Sequence, residues 1–358
     1  MPSLKEIKGR INSISSTLAI TSAMKMVAAA KLQKAQMAIQ NMLPYERRLH
    51  SMLIDLMGAM NISAAASEDG SVRGSGSAER GFAQSGDRLS LSNRHDLAGM
   101  DGAYSLMAQR EVRKVAIVAF ASNSSLCGAF NSNAIREATA VINEYRASGL
   151  GDADITVYSV GRKMAEAMKK LGFPSPADFT KVSDSPSYEA ASALAQELLD
   201  GFVSGRFDKV ELVYNHYKST SSQPTIRQTY LPLSLADATA DLQAGKIADS
   251  ASESDTNRVA EPVGAPVVRQ GSPTTEDLIV EPSKEALIAT LLPKVIRLRI
   301  FTTLLDSAAA EHAARTVAMQ LATDNGNDLL QELTLEYNKG RQQKITSEIL
   351  DLVGGSMQ

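Results

Sequence analysis

The feature that most narrows what this chain can fold into is a run of residues spaced alternately three and four apart near its start. The series is Leu4, Ile7, Ile11, Ile14, Leu18, Thr21, Lys25, Ala28, Leu32, Ala35, Ile39 and Met42, continued by Glu46, Leu49, Leu53 and Leu56. Steps of three and four make the heptad seam of a left-handed coiled coil. Thr21, Lys25 and Glu46 are its polar breaks, and Pro44 is expected to kink the helix or impose a local adjustment. A helix from about Ser3 to Met57 is roughly 80 Å long, and no small domain buries a helix of that length along all of it.

The other end of the sequence repeats the pattern. Glu281-Pro282-Ser283 reads as a helix start with Ser283 as N-cap. A second series runs Leu298, Phe301, Leu305, Ala308, His312, Arg315, Met319, Ala322, Gly326, Leu329 and Leu333. A further phase closes it with Leu335, Gln342, Ile345, Ile349 and Leu352, before a stop at Gly354-Gly355. This helix is roughly 105 Å long, with Pro293 near its start. Two such helices pair into a rod.

Between them the texture changes. Val112–Ala121 reads as a buried strand, Asn131–Ser148 as a helix and Asp154–Val160 as a second strand. Arg162–Leu171 and Tyr188–Ser204 read as helices, and Asp208–Asn215 with Thr225–Leu233 as a hairpin. Alternating strands and helices predict a small doubly wound α/β domain. The fold class is therefore α/β plus coiled coil. The expected organisation is a long rod helix over 1–58, a low-complexity insertion over 59–110, the α/β domain over 111–234, a flexible or regulatory insertion over 235–281, and a second long rod helix over 282–358. The insertions are placed by the Gly, Ser, Ala and Asp of 61–109 and by the similar composition, with added Pro and Glu, of 236–275.

Charge and cysteine usage limit the function classes. A net charge of −3 over 358 residues does not suggest a nucleic-acid binder. The charge is uneven, because the first 50 residues carry Lys5, Lys8, Arg10, Lys25, Lys31, Lys34, Arg47 and Arg48 against Glu6 and Glu46. A basic helix of this kind needs an acidic surface close to it. Cys127 is the only cysteine, which excludes an internal disulfide and fits a reducing compartment. The N-terminus has no apolar signal region or Arg/Ser-rich transit pattern, and the longest apolar run, Val115 to Ala121, is too short to span a bilayer. The expectation is a protein of the cytosol or of a cytosolic membrane face.

Few residues suggest chemistry. The loop from Ser122 to Asn131 follows a strand and precedes a helix, where doubly wound folds bind ligands. Its glycine spacing matches neither a Walker loop nor a dinucleotide fingerprint, and no histidine lies nearby in sequence to activate Cys127. A tight turn with Cys127 buried as a small hydrophobe accounts for it better. His50, His95, His216 and His312 show no metal-ligand spacing, and His312 falls on the seam as a packed residue. Glu332 and Glu336 read as a solvated helical face. No catalytic, metal or cofactor site emerges.

Other residues suggest contact. Met24 and Met26 cannot both lie on one narrow seam, so at least one faces something outside the helix pair. Arg341 and Gln342 form a polar cluster on an otherwise amphipathic helix, which also suits the helix dipole at a basic last turn. Beyond it, Leu350 to Gln358 carries the single charge of Asp351. A nearly neutral apolar tip needs a lining around it.

Three motifs resemble the γ-subunit family of the rotary proton-translocating ATP synthase. They are Leu4–Gln36 (LKEIKGRINSISSTLAITSAMKMVAAAKLQKAQ), Leu126–Asn133 (LCGAFNSN), and Glu311–Gly355, which holds EHAARTVAMQLATDN, ELTLEYNKGRQQKIT and EILDLVGG. The resemblance implies an antiparallel coiled coil around a Rossmann-like domain, with no cofactor and no bond-making chemistry of its own. It implies one copy per complex, on the cytoplasmic face of the cell inner membrane, with an α3β3 hexamer, an ε subunit and a c-ring as partners. Membrane contact would come only through the c-ring, and nucleic acid has no part. Coupling contacts with β are implied for Met24, Lys25, Arg315, Arg341, Gln342, Thr346 and Glu348. Ile345, Ile349, Leu352 and Val353 would form an apolar bearing tip.

The sequence departs from the family pattern in places. Asn123-Ser124-Ser125 stands where relatives usually carry Asp-Arg-Gly, which changes the hydrogen bonds open to that loop. Ser22 stands where a lysine is common. The insertion after Leu233 lies close to where plant chloroplast relatives carry a redox-regulatory insert, but one cysteine rules out a dithiol switch and leaves a steric or electrostatic brake. Two readings from other classes stand beside this one: a homomeric coiled-coil tether with a ligand-binding α/β head, and a small α/β enzyme with helical extensions.

Overall fold

A computed structural model describes residues 3–68, 106, 110–233 and 283–355. The segments assigned to insertions, over 59–110 and 235–281, lie largely outside the described residues. The N-terminal helix, α1, spans Leu4–Glu68. Ser3 caps it, its Oγ accepting from the Glu6 N–H at 3.2 Å. The helix passes through Pro44 without interruption and continues past Met57, where the seam alone would end it. Ala64-Ala65-Ala66, with the strongest helix propensity of any residue type, lies in this extension.

The α/β domain follows in the order β1 (Val115–Phe120), α2 (Phe130–Ala147), β2 (Ile155–Val160), α3 (Arg162–Lys170), α4 (Thr180–Asp184), α5 (Tyr188–Val203), β3 (Lys209–Asn215) and β4 (Thr225–Leu231). The C-terminal helix, α6, spans Lys284–Gly355. Ser283 caps α6 as expected, accepting from the Ala286 N–H at 3.1 Å. The short α4 has too few residues to show a period and was not legible in the sequence. The strand expected from Val112 starts instead at Val115, because the N–H groups of Arg113 and Lys114 donate to the Asp208 carboxylate at 3.0 and 2.9 Å.

The sheet has the order β2-β1-β3-β4, parallel except for the antiparallel β3–β4 hairpin. Side chains of β1 alternate between two cores, as period-two geometry requires. Val115, Ile117 and Ala119 pack with Ala134, Ala138, Val141 and Ile142 of α2 and with Met164 and Met168 of α3. Ala116, Val118 and Phe120 face the opposite core, which α5 shares with Leu49, Leu53 and Leu56 of α1 and with Ile288 to Leu304 of α6. The head is thus built onto the rod. At roughly 1.5–3 kcal/mol for each large apolar side chain buried, the rod's lower part is fixed by the same core that folds the head. Gly161 makes this layering possible: its φ of +101° turns the chain from β2 into α3, and a Cβ there would fall 2.0 Å from the Ala121 carbonyl oxygen.

Along the rod the two helices run antiparallel. Thr21 Oγ1 meets Thr323 Oγ1 at 3.1 Å, Lys25 Nζ donates to Gln320 Oε1 at 2.7 Å, and Leu32 packs between Ala309 and Ala313. Every seam residue expected in α1 from Leu4 to Leu56 is buried or half-buried. The α6 seam differs from expectation: Ala322 and Leu329 are exposed, and Thr323 and Leu330 take their places. A strict seven-residue repeat drifts by about 20° per heptad on a straight helix. Here the step after Met319 lengthens to four, which aligns the Thr21 and Thr323 hydroxyls. Gly326 sits on this shifted seam, where a Cβ would lie 2.6 Å from Leu18 Cδ2, so the absent side chain makes room for Leu18.

Candidate functional site

Opposing positions along the rod sum to about the same value, with Leu18 at Gly326 and Leu4 at Gly340. Residues 341–355 of α6 therefore extend beyond the first turn of α1, an overhang of about 22 Å. Arg341, Gln342, Thr346 and Glu348 are exposed on this overhang. Their described polar contacts are local: Thr346 Oγ1 donates to the Gln342 carbonyl at 2.9 Å, and Lys344 lies 3.7 Å from Glu348. The apolar residues Ile345, Ile349, Leu352 and Val353 are also exposed, Leu352 to 74%. Steps of four place Ile345, Ile349 and Val353 on one stripe. A stripe of this size facing outward is a surface for contact.

The other sequence-derived contact residues lie lower on the rod. Met24 is half-buried, whereas Met26 is 63% exposed, which divides the two methionines as the heptad argument requires. Lys25 is turned inward to Gln320. Arg315 is buried: its guanidinium donates to the Ser125 carbonyl at 2.6 Å, to Ser124 Oγ at 2.8 Å and to Glu311 Oε1 at 2.7 Å. The structure thus gathers the overhang residues at one end and keeps Met24, Lys25 and Arg315 well away from them.

Three junction contacts were missed by sequence reasoning. His216 Nδ1 lies 2.6 Å from Asp306 Oδ2, and the Tyr217 N–H donates to Asp306 Oδ1 at 2.9 Å. Gln36 Nε2 donates to the Tyr217 hydroxyl at 2.7 Å. The third is the Ser124–Ser125 grip on Arg315. Each joins residues far apart in sequence, so no local pattern announces it. Asn123 ties the same loop to the rest of the head: its Nδ2 donates to the Thr180 carbonyl at 2.7 Å, and its Oδ1 accepts from the Arg162 N–H at 2.7 Å.

Electrostatics at the junction follow burial. Desolvation pushes the Glu311 carboxyl above the usual carboxylate range, although Arg315 opposes the shift. Desolvation, with Lys31 and Arg315 nearby, pushes His312 down to about 4, so its ring is neutral at neutral pH. The His216 ring moves the other way, raised by its hydrogen bond to Asp306.

The strand order puts the topological switch between β1 and β3, where open α/β sheets accept ligands. In this chain that crevice is filled by α6. Ala310 packs on the buried Cys127 and Phe130, with Tyr217 and Ala314 beside them. The Asn215 side chain closes the strand ends by donating to the Phe130 carbonyl at 3.1 Å. Cys127 is 1% exposed, as the tight-turn reading expected. Among the described residues no group of three His, Cys, Asp or Glu is placed to hold a metal ion, and no helix is long and apolar enough to cross a membrane.

Comparison with known proteins agrees with this architecture. The family model described as ATP synthase matches residues 3–357. The ATP synthase gamma chain of Phocaeicola vulgatus is 47% identical over the whole length of both chains. That of Bacteroides thetaiotaomicron is 45% identical, again over 100% of each. That of Flavobacterium johnsoniae is 35% identical, covering 99% of this chain and 98% of its own. Among solved structures, a chain of the Euglena gracilis mitochondrial ATP synthase (OSCP/F1/c-ring, rotational state 3) superposes with a TM-score of 0.54 at 17% identity, covering 99% of this chain and 93% of that one. A chain of the rotor of the same synthase scores 0.51 at 18% identity, with coverages of 96% and 98%. At these identities the structural likeness speaks for the fold alone.

Proposed function

This chain belongs to the ATP synthase gamma-chain family, and from that membership we propose that it is the central rotor shaft of a proton-driven ATP synthase. It couples proton flow through a membrane ring to ATP synthesis and hydrolysis on the β subunits by rotating inside an α3β3 hexamer. The head rests on the c-ring beside the ε subunit, on the cytoplasmic side of the cell inner membrane. The chain contributes no catalytic site and no cofactor.

The observation that carries this reading is the stagger of the two helices, with Leu4 opposite Gly340, which leaves α6 alone over 341–355 with an apolar stripe exposed. A smooth apolar tip turns in a sleeve without directional bonds that would trap particular angles. Arg341 and Gln342, exposed at the base of the overhang, supply the polar contact with β, and Thr346 and Glu348 lie one to two turns further along. Met24 faces β from α1. Because the rod is asymmetric, each β subunit meets a different face at each angle. Such differential contact is the only means by which a partner shifts a conformational equilibrium.

A homomeric tether with a ligand-binding head is less well supported, because α6 fills the crevice such a ligand would need. Co-expression with α, β and ε subunits tests the choice. The shaft reading expects one copy of the chain to co-purify with the hexamer and to restore ATP-driven proton pumping to vesicles. A stable homodimer that ignores α and β would refute it.

A further inference from the structure

Rotation generated at the head passes to the rod through the apolar core that the head shares with the lower rod, and through polar grips on α6. Low on α6, among the described residues, the head grips through the Tyr230 hydroxyl, which donates to the Ile296 carbonyl at 2.9 Å, and through Gln196 Oε1, which accepts from Arg297 Nη2 at 2.6 Å; two more grips lie higher. His216 and Tyr217 hold Asp306, and Ser124 and Ser125 hold Arg315. Arg315 lies two and a half turns further along α6 than Asp306, about 13 Å towards the overhang. Beyond it the hydrogen bonds run between the two helices, as in Lys25–Gln320 and Thr21–Thr323. Arg315 marks the level at which the shaft leaves the head.

Its three described acceptors hold the Arg315 side chain to only 9% exposure. We infer that Arg315 is a positioning residue that clamps the 122–131 turn of the head to α6, so that head and rod turn as one body. This deepens the rotor-shaft reading and rests on it for its consequence, though not for its geometry. The clamp has two arms on the head. Ser125 offers its carbonyl and Ser124 its hydroxyl, while Glu311, one helical turn back, holds the guanidinium in plane. A planar, forked donor suits this arrangement, and a lysine cannot span both arms. The turn is in turn bolted to α3 and α4 by Asn123, whose carbonyl accepts from Arg162 Nη2 at 2.6 Å in addition to the side-chain bonds above. Within the clamped turn, Leu126 is 58% exposed and held with φ of 68°, a backbone shape that a non-glycine residue keeps only when its surroundings impose it.

The chain carries its own reporter. Cys127, its only cysteine, sits inside the clamped turn with Sγ 3.2 Å from Asn131 Nδ2. In the assembled complex, the rate at which N-ethylmaleimide alkylates Cys127, read on its peptide by mass spectrometry, measures opening of the turn. Arg315→Gln is expected to raise that rate at least about tenfold, the change that loss of hydrogen bonds to a charged group produces in a local opening equilibrium. Ser124→Ala should raise it less, and Arg315→Lys should fall between wild type and Arg315→Gln. The ratio of ATP-driven proton pumping to ATP hydrolysis should fall in the same order. Unchanged Cys127 rates in both Arg315→Gln and Ser124→Ala would overturn the clamp. Raised rates with an unchanged pumping ratio would overturn its role in carrying rotation. If Arg315→Gln fails to assemble, Ser124→Ala and Arg315→Lys decide the question. Failure of the rotor reading would look different: wild-type chain would not assemble or pump, while the alkylation series on the chain alone would still report the clamp.

Discussion

Asp306 of α6 holds the end of β3 with both carboxylate oxygens, one 2.6 Å from His216 Nδ1 and the other accepting the Tyr217 N–H at 2.9 Å. The contact fastens the head to the rod through a titratable ring. The hydrogen bond to Asp306 raises the His216 pKa, while burial and Lys218 oppose it. A histidine whose folded pKa exceeds its unfolded value of about 6.5 contributes its full stability below that value. The contribution fades as pH rises through the folded pKa. Because the His216 side chain is 43% exposed, solvent screening keeps the effect to about 0.5 kcal/mol. His216→Gln should therefore lower the melting temperature at pH 6 and have less effect at pH 9. Equal losses at both pH values would show that the charge has no part in the contact.

A second charged group lies deeper and carries more. Glu211 on β3 is 2% exposed in its side chain and takes Arg227 on both oxygens, at 2.7 and 3.2 Å, with Lys209 at 2.6 Å and the Tyr145 hydroxyl at 2.7 Å. These partners hold its carboxyl below the usual range against the desolvation that would raise it. The network joins β4 and α2 to β3. Removing one partner leaves buried charge uncompensated, so Glu211→Ala should cost about 3–5 kcal/mol. Replacing Glu211 and Arg227 together by apolar residues of similar volume should cost clearly less. Denaturant unfolding of the single and double variants provides the comparison, and an additive result would count against the network.

The coiled coil makes a packing prediction. Leu18 occupies the space that Gly326 leaves on the opposing helix. Gly326→Val should overfill that site and cost about 1–3 kcal/mol. Leu18→Ala should recover part of the loss when combined with it, giving a coupling energy of about 0.5–3 kcal/mol in a double-mutant cycle. The readout is thermal unfolding followed by helical circular dichroism. Independent effects would place the two residues out of contact.

How much of this was legible in the sequence depended on the range of the interaction. The α1 seam from Leu4 to Leu56, the β-strands and the Ser283 cap rest on local periodicity and local chemistry, which one sequence carries in full. The α6 seam was read correctly to Met319 and then one residue out of phase at Ala322 and Leu329, because Thr21 on the opposing helix α1 pairs with Thr323 there and local spacing cannot show it. Arg315 shows the same limit for the site. Its place on the seam was visible, but its acceptors come from a loop about 190 residues earlier in the chain. The exposed stripe of Ile345, Ile349 and Val353 was legible because an overhang has no partner within the chain to hide its pattern.

That overhang supplies the most direct test of the shaft. Residues 341–355 lie beyond the first turn of α1, and the head packs on rod residues well below them, chiefly Leu49 to Leu56 and Ile288 to Leu304, with Ala310 and Ala314 higher up. Deleting Gly340–Gln358 should therefore leave the head and most of the coiled coil folded, with a melting temperature close to wild type. Assembly with α and β should largely survive, because α1 and the head remain. What the deletion removes is the Arg341/Gln342 contact and the apolar tip. Proton pumping per ATP hydrolysed, or single-molecule torque, should then fall by a clear fraction while hydrolysis continues. The narrower exchange of Arg341 and Gln342 for alanine isolates the polar contact, since both side chains are exposed and their loss leaves no cavity. If the truncated complex pumped protons as well as wild type, the overhang would have no part in coupling. If the truncation uncoupled the complex but the double alanine variant did not, the tip rather than the polar contact would be the part that matters.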